Sequence, residues 1–251
     1  MLSLYFAPGT SSMAPHIALY EIGVPFESCP LSFAKGEQRQ SSYLALNGEG
    51  KVPTLMIDGR PLTEVAAILY YLAQTYPDAG LMPMDIEGKA QVISWMSFVA
   101  STLHPARFRG AEHALSVYGI AEQRLGEGEW ASGEYSIADI HLFRLYWRLR
   151  NALDFPIGMF PKLAAHHDRM MARPAVQKTI AIEQALGYEL TDPSRPKKSV
   201  TAALNSVAAL MFTAWPPSRS TTSRLGMCCA ANARGSANAR SRWPATSMVG
   251  T

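Results

Sequence analysis

Apolar positions along the chain fall into two regimes. Up to about residue 75 they come in short extended runs separated by turn residues, whereas beyond residue 85 they recur at helical spacing. Leu2 to Phe6 reads as a strand, followed by the turn Ala7-Pro8-Gly9-Thr10-Ser11-Ser12 and a helical pattern through His16, Ile17, Leu19 and Ile22 that Gly23 ends. Phe26 to Leu31 is a second strand, Gly36 to Leu46 a weak helix, Val52 to Ile57 a third strand, Arg60 to Leu62 a fourth, and Glu64 to Thr75 a helix. The order β-α-β-α-β-β-α describes one compact layer.

Tyr76-Pro77-Asp78-Ala79-Gly80, with Pro83 close behind, is turn-rich and marks a boundary. Strand signals vanish after it. Helices are predicted for Asp85 to about Ala106, Glu112 to Leu125, Ser136 to Arg150, Phe160 to Ala172 and Ala175 to Leu186. The expected organisation is α/β plus all-α: a small domain over 1–77, a linker over 78–84, a helical domain over 85–192, and a tail over 193–251. The tail turns to Ala, Ser, Arg and Thr with little periodicity, so it is expected to be disordered or non-native, although Ser199 to Trp215 could form one apolar helix.

The stretch from Lys51 to Leu72 carries the first chemistry. Pro53 at the mouth of a strand removes a ladder hydrogen bond and belongs at an edge or bend. Val52 before it is pushed towards extended geometry, which leaves its N–H and C=O free to pair with an extended peptide. Asp58-Gly59 is a hairpin signal that places Glu64 at the start of the next helix. There the unpaired N–H groups attract a carboxylate, while Glu64 itself can hold an ammonium. An extended, zwitterionic, peptide-like ligand fits both halves.

Composition is globular, at 48% apolar and 17% charged. No apolar run approaches the ~18 residues of a membrane span, and Pro8, Gly9 and Pro15 interrupt any secretory pattern; a cytoplasmic protein is expected, with no membrane partner. Eight basic residues and no acidic one follow Asp192, and subtracting those eight from the formal +3 leaves the first 192 residues at −5. A nucleic-acid partner for the folded part thereby loses its support. Three cysteines, two of them adjacent at Cys228 and Cys229, make neither a disulfide framework nor a metal pattern.

Over residues 1 to about 190 the chain resembles the glutathione S-transferase family, specifically its bacterial beta-like branch. The resemblance rests on Tyr5-Phe6-Ala7-Pro8-Gly9 with Pro15-His16-Ile17-Ala18-Leu19, on Lys51-Val52-Pro53-Thr54-Leu55, and on Leu62-Thr63-Glu64 with Ala67-Ile68 and Tyr71-Leu72. In the helical part Leu103-His104 and Ser136-Ile137-Ala138-Asp139-Ile140 with Leu142-Phe143 carry it. It implies a thioredoxin-like first domain, an all-α second domain, a homodimer, and glutathione as co-substrate with no metal.

By that resemblance Pro53 is cis, Val52 pairs with the cysteinyl backbone of glutathione and Glu64 holds its γ-glutamyl end. Val65 stands where the family often has Ser or Gly. Its N–H still donates to the carboxylate, but a side-chain contact is lost and weaker glutathione binding is expected. Lys35 and Lys51 both flank the site and can pair with the glycyl carboxylate.

Thiol chemistry needs a thiolate, and a thiol of pKa ~8.5 is only about 3% ionised at pH 7. Lowering that pKa by ~2 units takes about 2.7 kcal/mol, within reach of one well-aimed hydroxyl at a helix start. Ser11 occupies the position of the beta-like cysteine, which shifts the chemistry from mixed disulfides towards hydrogen bonding to a bound thiolate. Ser12 and Thr10 are alternative contacts, and all three hydroxyls can instead cap the helix. His104 is expected to face the site or to end its helix before Pro105.

His16 reads as a structural residue between domains, and His166 and His167 as surface. Ser136 and Asp139 read as a structural capping-box pair. Only 26 positions separate His104 from Trp130, shorter than the two long helices that the resemblance implies there. Phe108, Tyr146 and Trp147 are candidate walls of an electrophile pocket, although their spacing also fits a packed core.

The expected function is a glutathione transferase-like enzyme that activates the glutathione thiolate for attack on a small hydrophobic electrophile, a detoxification-type reaction. The rival readings are a non-catalytic binding or interaction protein that kept the fold, and a glutathione-dependent isomerase or dehalogenase.

Overall fold

A computed structural model describes residues 1–189 and 198–199. The first layer is a four-stranded sheet in the order β2-β1-β3-β4, formed by β1 (Leu2–Phe6), β2 (Glu27–Pro30), β3 (Thr54–Ile57) and β4 (Arg60–Thr63). β1 runs parallel to β2 and antiparallel to β3, with Leu4 opposite Leu55 and Tyr5 opposite Thr54. The β3–β4 turn is the Asp58-Gly59 pair, both at positive φ (50° and 79°), as a tight primed hairpin requires.

Helices α1 (Met13–Ile22) and α3 (Val65–Thr75) pack on the sheet, and α2 (Ser41–Leu44) is one turn following a 3₁₀ segment over Glu37–Arg39. The weak helix expected over 36–46 is thus divided, because Gln40 between its two pieces is extended. In α3 the apolar stripe Val65, Ile68, Leu69 and Leu72 is buried at i, i+3, i+4 and i+7. Each such Leu or Ile contributes roughly 1.5–3 kcal/mol.

The helical part comprises α4 (Ile86–Phe98), α5 (Ala111–Leu125), α6 (Ile137–Ala152), α7 (Pro161–Met171) and α8 (Pro174–Leu186). The single helix expected from Asp85 to Ala106 ends as regular α-helix at Phe98. It continues as a π-helical turn over Val99–Leu103 and a 3₁₀ turn over Pro105–Arg109, because Pro105 has no N–H to continue the ladder. Strand structure does not vanish after residue 83: β5 (Leu153–Asp154) and β6 (Lys198–Ser199) pair in parallel. Apart from that pair, the expectations for the tail lie outside the described residues, including most of the apolar helix proposed for 199–215.

The start of α6 is a capping box, with the Asp139 carboxylate accepting from the Ser136 N–H at 2.9 Å and the Ser136 hydroxyl accepting from the Ala138 N–H at 3.3 Å. The other Asp139 oxygen binds the Ala131 N–H and His166 Nε2, at 2.7 and 2.9 Å. His166 is therefore not a surface residue. It is fully buried and ties α7 to α6, and His167 is buried beside Phe143.

Candidate active site

A cleft of about 350 Å³ opens where the turn before α1, the loop before β3, the start of α3 and residues 100–108 converge. Its walls include Ser11, Lys51, Val52, Pro53, Glu64 and Val65 on one side and His104, Phe108 and His141 on the other. Val52 and Pro53 are joined by a cis peptide bond and precede the β3 ladder, which starts at Thr54. The approach to them is fixed by Tyr43 and Asn47, whose side chains both donate to the Lys51 carbonyl, at 2.5 and 2.9 Å. Both also reach the Thr54 hydroxyl.

Glu64 precedes α3 at φ 69°, a left-handed value that costs a non-glycine residue about 1–3 kcal/mol. It is held there between the β4 pairing and the buried stripe of α3. Its carboxylate makes no capping hydrogen bond and is exposed on the cleft, beside the unpaired N–H groups of the first α3 turn. Lys51 Nζ binds Glu49 at 2.7 Å, which raises its pKa, and the charge of Glu64 adds to the effect.

The three hydroxyls before α1 have separate fates. Ser11 faces the cleft and donates to the Val52 carbonyl at 3.2 Å. Ser12 is fully buried, pairs with the Thr10 hydroxyl at 2.6 Å, and bonds both the N–H and the C=O of Ala7 at 3.1 Å. Thr10 donates to the Ala7 carbonyl at 2.8 Å. Neither Ser12 nor Thr10 is available to a ligand, which corrects the expectation for Ser12, and no side-chain cap forms on α1. These hydroxyls tie the turn together instead.

The same turn is gripped from the helical part. Arg144 on α6 is fully buried and donates from Nε to the Thr10 carbonyl at 2.7 Å and from Nη2 to that of Gly9 at 3.1 Å. Glu183 on α8 accepts from the Gly9 N–H at 2.7 Å and pairs with His16 Nδ1 at 3.0 Å. His16 is buried and links the two layers. Ser11 is thus placed by charged groups more than 130 residues away in sequence.

His104 stands between this cleft and a second cavity of about 450 Å³, and Arg107 and Phe108 line both. The walls of the second cavity are mainly apolar, from Leu103, Ala114, Leu145, Leu149 and Leu153, with Tyr118, Arg107, Arg144 and Arg148. Burial, then the charges of Arg144, Arg107 and Arg148, push the His104 pKa down to about 3. Burial, then His104 and Arg144, push His141 down to about 3. Both imidazoles are neutral at physiological pH. Burial also lowers Arg144 to about 9 and Arg148 to about 10, still charged at neutral pH.

The structure thus brings Ser11, Lys51, Val52, Pro53, Glu64, Val65, His104 and Phe108 to one cleft. It does not bring in the others. Lys35 is exposed and lines neither cavity. Tyr146 packs among Tyr118, Phe155 and His167, and Trp147 stacks on Tyr188, so these two wall candidates are core residues. Sequence reasoning missed Tyr43, Asn47, Arg107, Arg144, Arg148 and Glu183. The one available signal was that Arg144 and Arg148, at i and i+4, punctuate an otherwise apolar helix face. Among the described residues no group of three metal-ligating side chains comes together.

Comparison with known proteins gives a consistent result. Residues 1–74 match the family described as glutathione S-transferase, N-terminal domain, and residues 110–181 match glutathione S-transferase, C-terminal domain. Glutathione S-transferase GstA of Escherichia coli O157:H7 is 31% identical over 199 residues, covering 72% of this chain and 98% of that protein. The structure of a glutathione transferase homologue from Sulfitobacter with bound glutathione has 32% identity and a TM-score of 0.65, covering 75% of this chain and 99% of its own. A beta class enzyme structure from Sphingomonas chungbukensis has 33% identity and a TM-score of 0.63, covering 72% and 98%.

Proposed function

We propose a reaction from one premise: the chain belongs to the glutathione S-transferase family. Glutathione is the co-substrate, and the enzyme transfers it to an electrophile. Its γ-glutamyl end lies on Glu64 and the first α3 N–H groups, its cysteinyl backbone runs antiparallel along Val52, and its sulfur sits by Ser11. Lys51, which lines the same cleft, takes the glycyl carboxylate.

The observation that carries this reading is the state of Ser11 and Glu64. Both polar groups face one cleft across the Val52-Pro53 step, and the Glu64 carboxylate is unspent on capping. Ser11 turns its proton from the Val52 carbonyl to the sulfur. A hydrogen bond to a charged partner contributes roughly 1.5–3 kcal/mol, enough to lower the thiol pKa by about 1–2 units. The thiolate then attacks the electrophilic carbon, which carries an apolar body towards Phe108 and the cavity behind His104. His104 is neutral, so it acts as a hydrogen-bonding wall rather than a titrating base.

With Ser11 in place of the beta-like cysteine, this is conjugation through an activated thiolate rather than disulfide exchange. The thioredoxin-like layer over 1–77 supplies the glutathione half and the helices over 85–192 the electrophile half, in a cytoplasmic homodimer. Purified protein should be retained on glutathione resin, elute with free glutathione and conjugate 1-chloro-2,4-dinitrobenzene. Retention without conjugation would leave only a binding module.

A further inference from the structure

The cavity beyond His104 is apolar over most of its wall, yet three guanidinium groups reach it and, among the described residues, no carboxylate lines it. Arg144 spends Nε and Nη2 on the Thr10 and Gly9 carbonyls, but its Nη1 is buried with no partner. Arg107 lies over the Phe108 ring, 4.2 Å from its centroid, and makes no ion pair among the described residues. Arg148 has no carboxylate on it there either. Of the residues after Glu189, only Asp192 is acidic. A buried N–H of a charged group that lacks a partner is destabilising, and an incoming oxyanion supplies that partner.

We propose that this cavity takes the carboxylate of the second substrate, so that the electrophile is an amphiphilic acid: an apolar body against Leu103, Leu145 and Leu149 and an anionic group on Arg144 and Arg148. The planar guanidinium fork matches a carboxylate in two parallel hydrogen bonds, and the surrounding leucines strengthen them by excluding water. Arg107, at the mouth shared by both cavities, adds charge along the entry path. The reactive carbon of such a molecule lies towards His104 and the sulfur beyond it. This assignment rests on the transferase reading for the sulfur's position, but its central claim, carboxylate binding, needs no glutathione.

The test therefore has a binding arm and a kinetic arm, both on the full chain. Calorimetric titration should show 4-nitrobenzoate binding at least tenfold tighter than uncharged 4-nitrobenzamide, with Arg148→Gln removing most of that preference and Arg148→Lys restoring part of it. In turnover, 4-chloro-3,5-dinitrobenzoate and 1-chloro-2,4-dinitrobenzene both lose chloride as the S–C bond forms, and Arg148→Gln should lower the acid-to-neutral ratio of kcat/KM by about tenfold. Equal binding of the two nitro probes overturns the proposal. So does competition between glutathione and 4-nitrobenzoate for one site, which would assign the arginines to a glutathione carboxylate. Failure of the transferase reading is separate, since it shows as lost retention on glutathione resin while the calorimetric preference persists.

Discussion

The cleft at Ser11 and the cavity at Arg148 share His104, Arg107 and Phe108 but are built on opposite plans. The cleft is mostly backbone and short polar groups set on a sheet: the Val52 peptide, the first turn of α3, a serine, and a glutamate held at φ 69°. Its parts lie within short segments, each shaped by local rules of turns, hairpins and helix starts. The cavity is mostly side chains, chiefly leucines and arginines, on helices that meet only through tertiary packing. A peptide-like ligand is read by the first kind of surface because it presents its own peptide groups. In the reaction proposed above a variable second substrate is read by the second, where single side chains set the preference.

The two plans meet at Arg144, and breaking that residue should produce the largest effect. Arg144→Met strips the Gly9 and Thr10 carbonyls of their donor and removes a buried positive charge that acts on Glu183. A loss of about 3 kcal/mol is expected in denaturant unfolding, together with disturbance of both sites, because the same guanidinium anchors the Ser11 turn and lines the cavity.

Acid should act next, through the two neutral histidines at the seam. Their folded pKa values lie near 3, below the ordinary unfolded value of about 6.5. The unfolded chain therefore binds protons first as pH falls. The contribution to stability is complete above pH ~6.5 and is lost between about 6.5 and 3, at up to about 1.4 kcal/mol per pH unit for each histidine. Unfolding midpoints at pH 7 and pH 5 measure this, and His141→Gln should flatten the slope, with His104→Gln adding less because His104 is partly exposed.

The serine pair separates chemistry from structure. Ser11→Ala should lower conjugation by about ten- to a hundredfold and raise the bound thiol pKa by about 1–2 units while barely moving stability. Ser12→Ala should do the reverse, costing about 1–2 kcal/mol in unfolding with little change in thiol pKa. Ultraviolet thiolate titration of the glutathione complex reads the first and denaturation the second. Equal effects from both would dissolve the distinction drawn between them.

Glu64→Gln should weaken glutathione by about tenfold, roughly 1.4 kcal/mol, without touching 4-nitrobenzoate binding. The smallest expected effect is a gain. Val65→Ser adds a hydroxyl at the α3 start and should tighten glutathione a few-fold by calorimetry.

The local half of this protein was legible in its sequence. Leu2 to Phe6, the Asp58-Gly59 hairpin, the 3.6-residue stripe of α3 and the Ser136–Asp139 capping box each follow from neighbours in the chain. Of the positions that line the Ser11 cleft, Val52, Pro53 and Glu64 were read from the same short-range signals, Ser11, Lys51, Val65 and His104 were assigned by the family resemblance, and Asn47, Arg107 and His141 were missed. Turn chemistry and hydrophobic period are properties of a few consecutive residues, so the sequence determines them alone.

The tertiary structure decided which polar groups remain available. Thr10, Ser11 and Ser12 have nearly the same sequence context, yet only Ser11 faces the cleft, because the other two hydroxyls bond each other and the Ala7 backbone inside a turn that Arg144 and Glu183 hold by its backbone. His166 and His167 carry no sequence sign of burial and are nonetheless buried under Asp139 and Phe143. Tyr146 and Arg148, two positions apart on α6, diverge into core and cavity because a helix turns about 100° per residue. Which face meets what depends on partners dozens of residues away. The arginine-lined cavity, assembled from side chains between residues 103 and 153, exists only once those helices have packed.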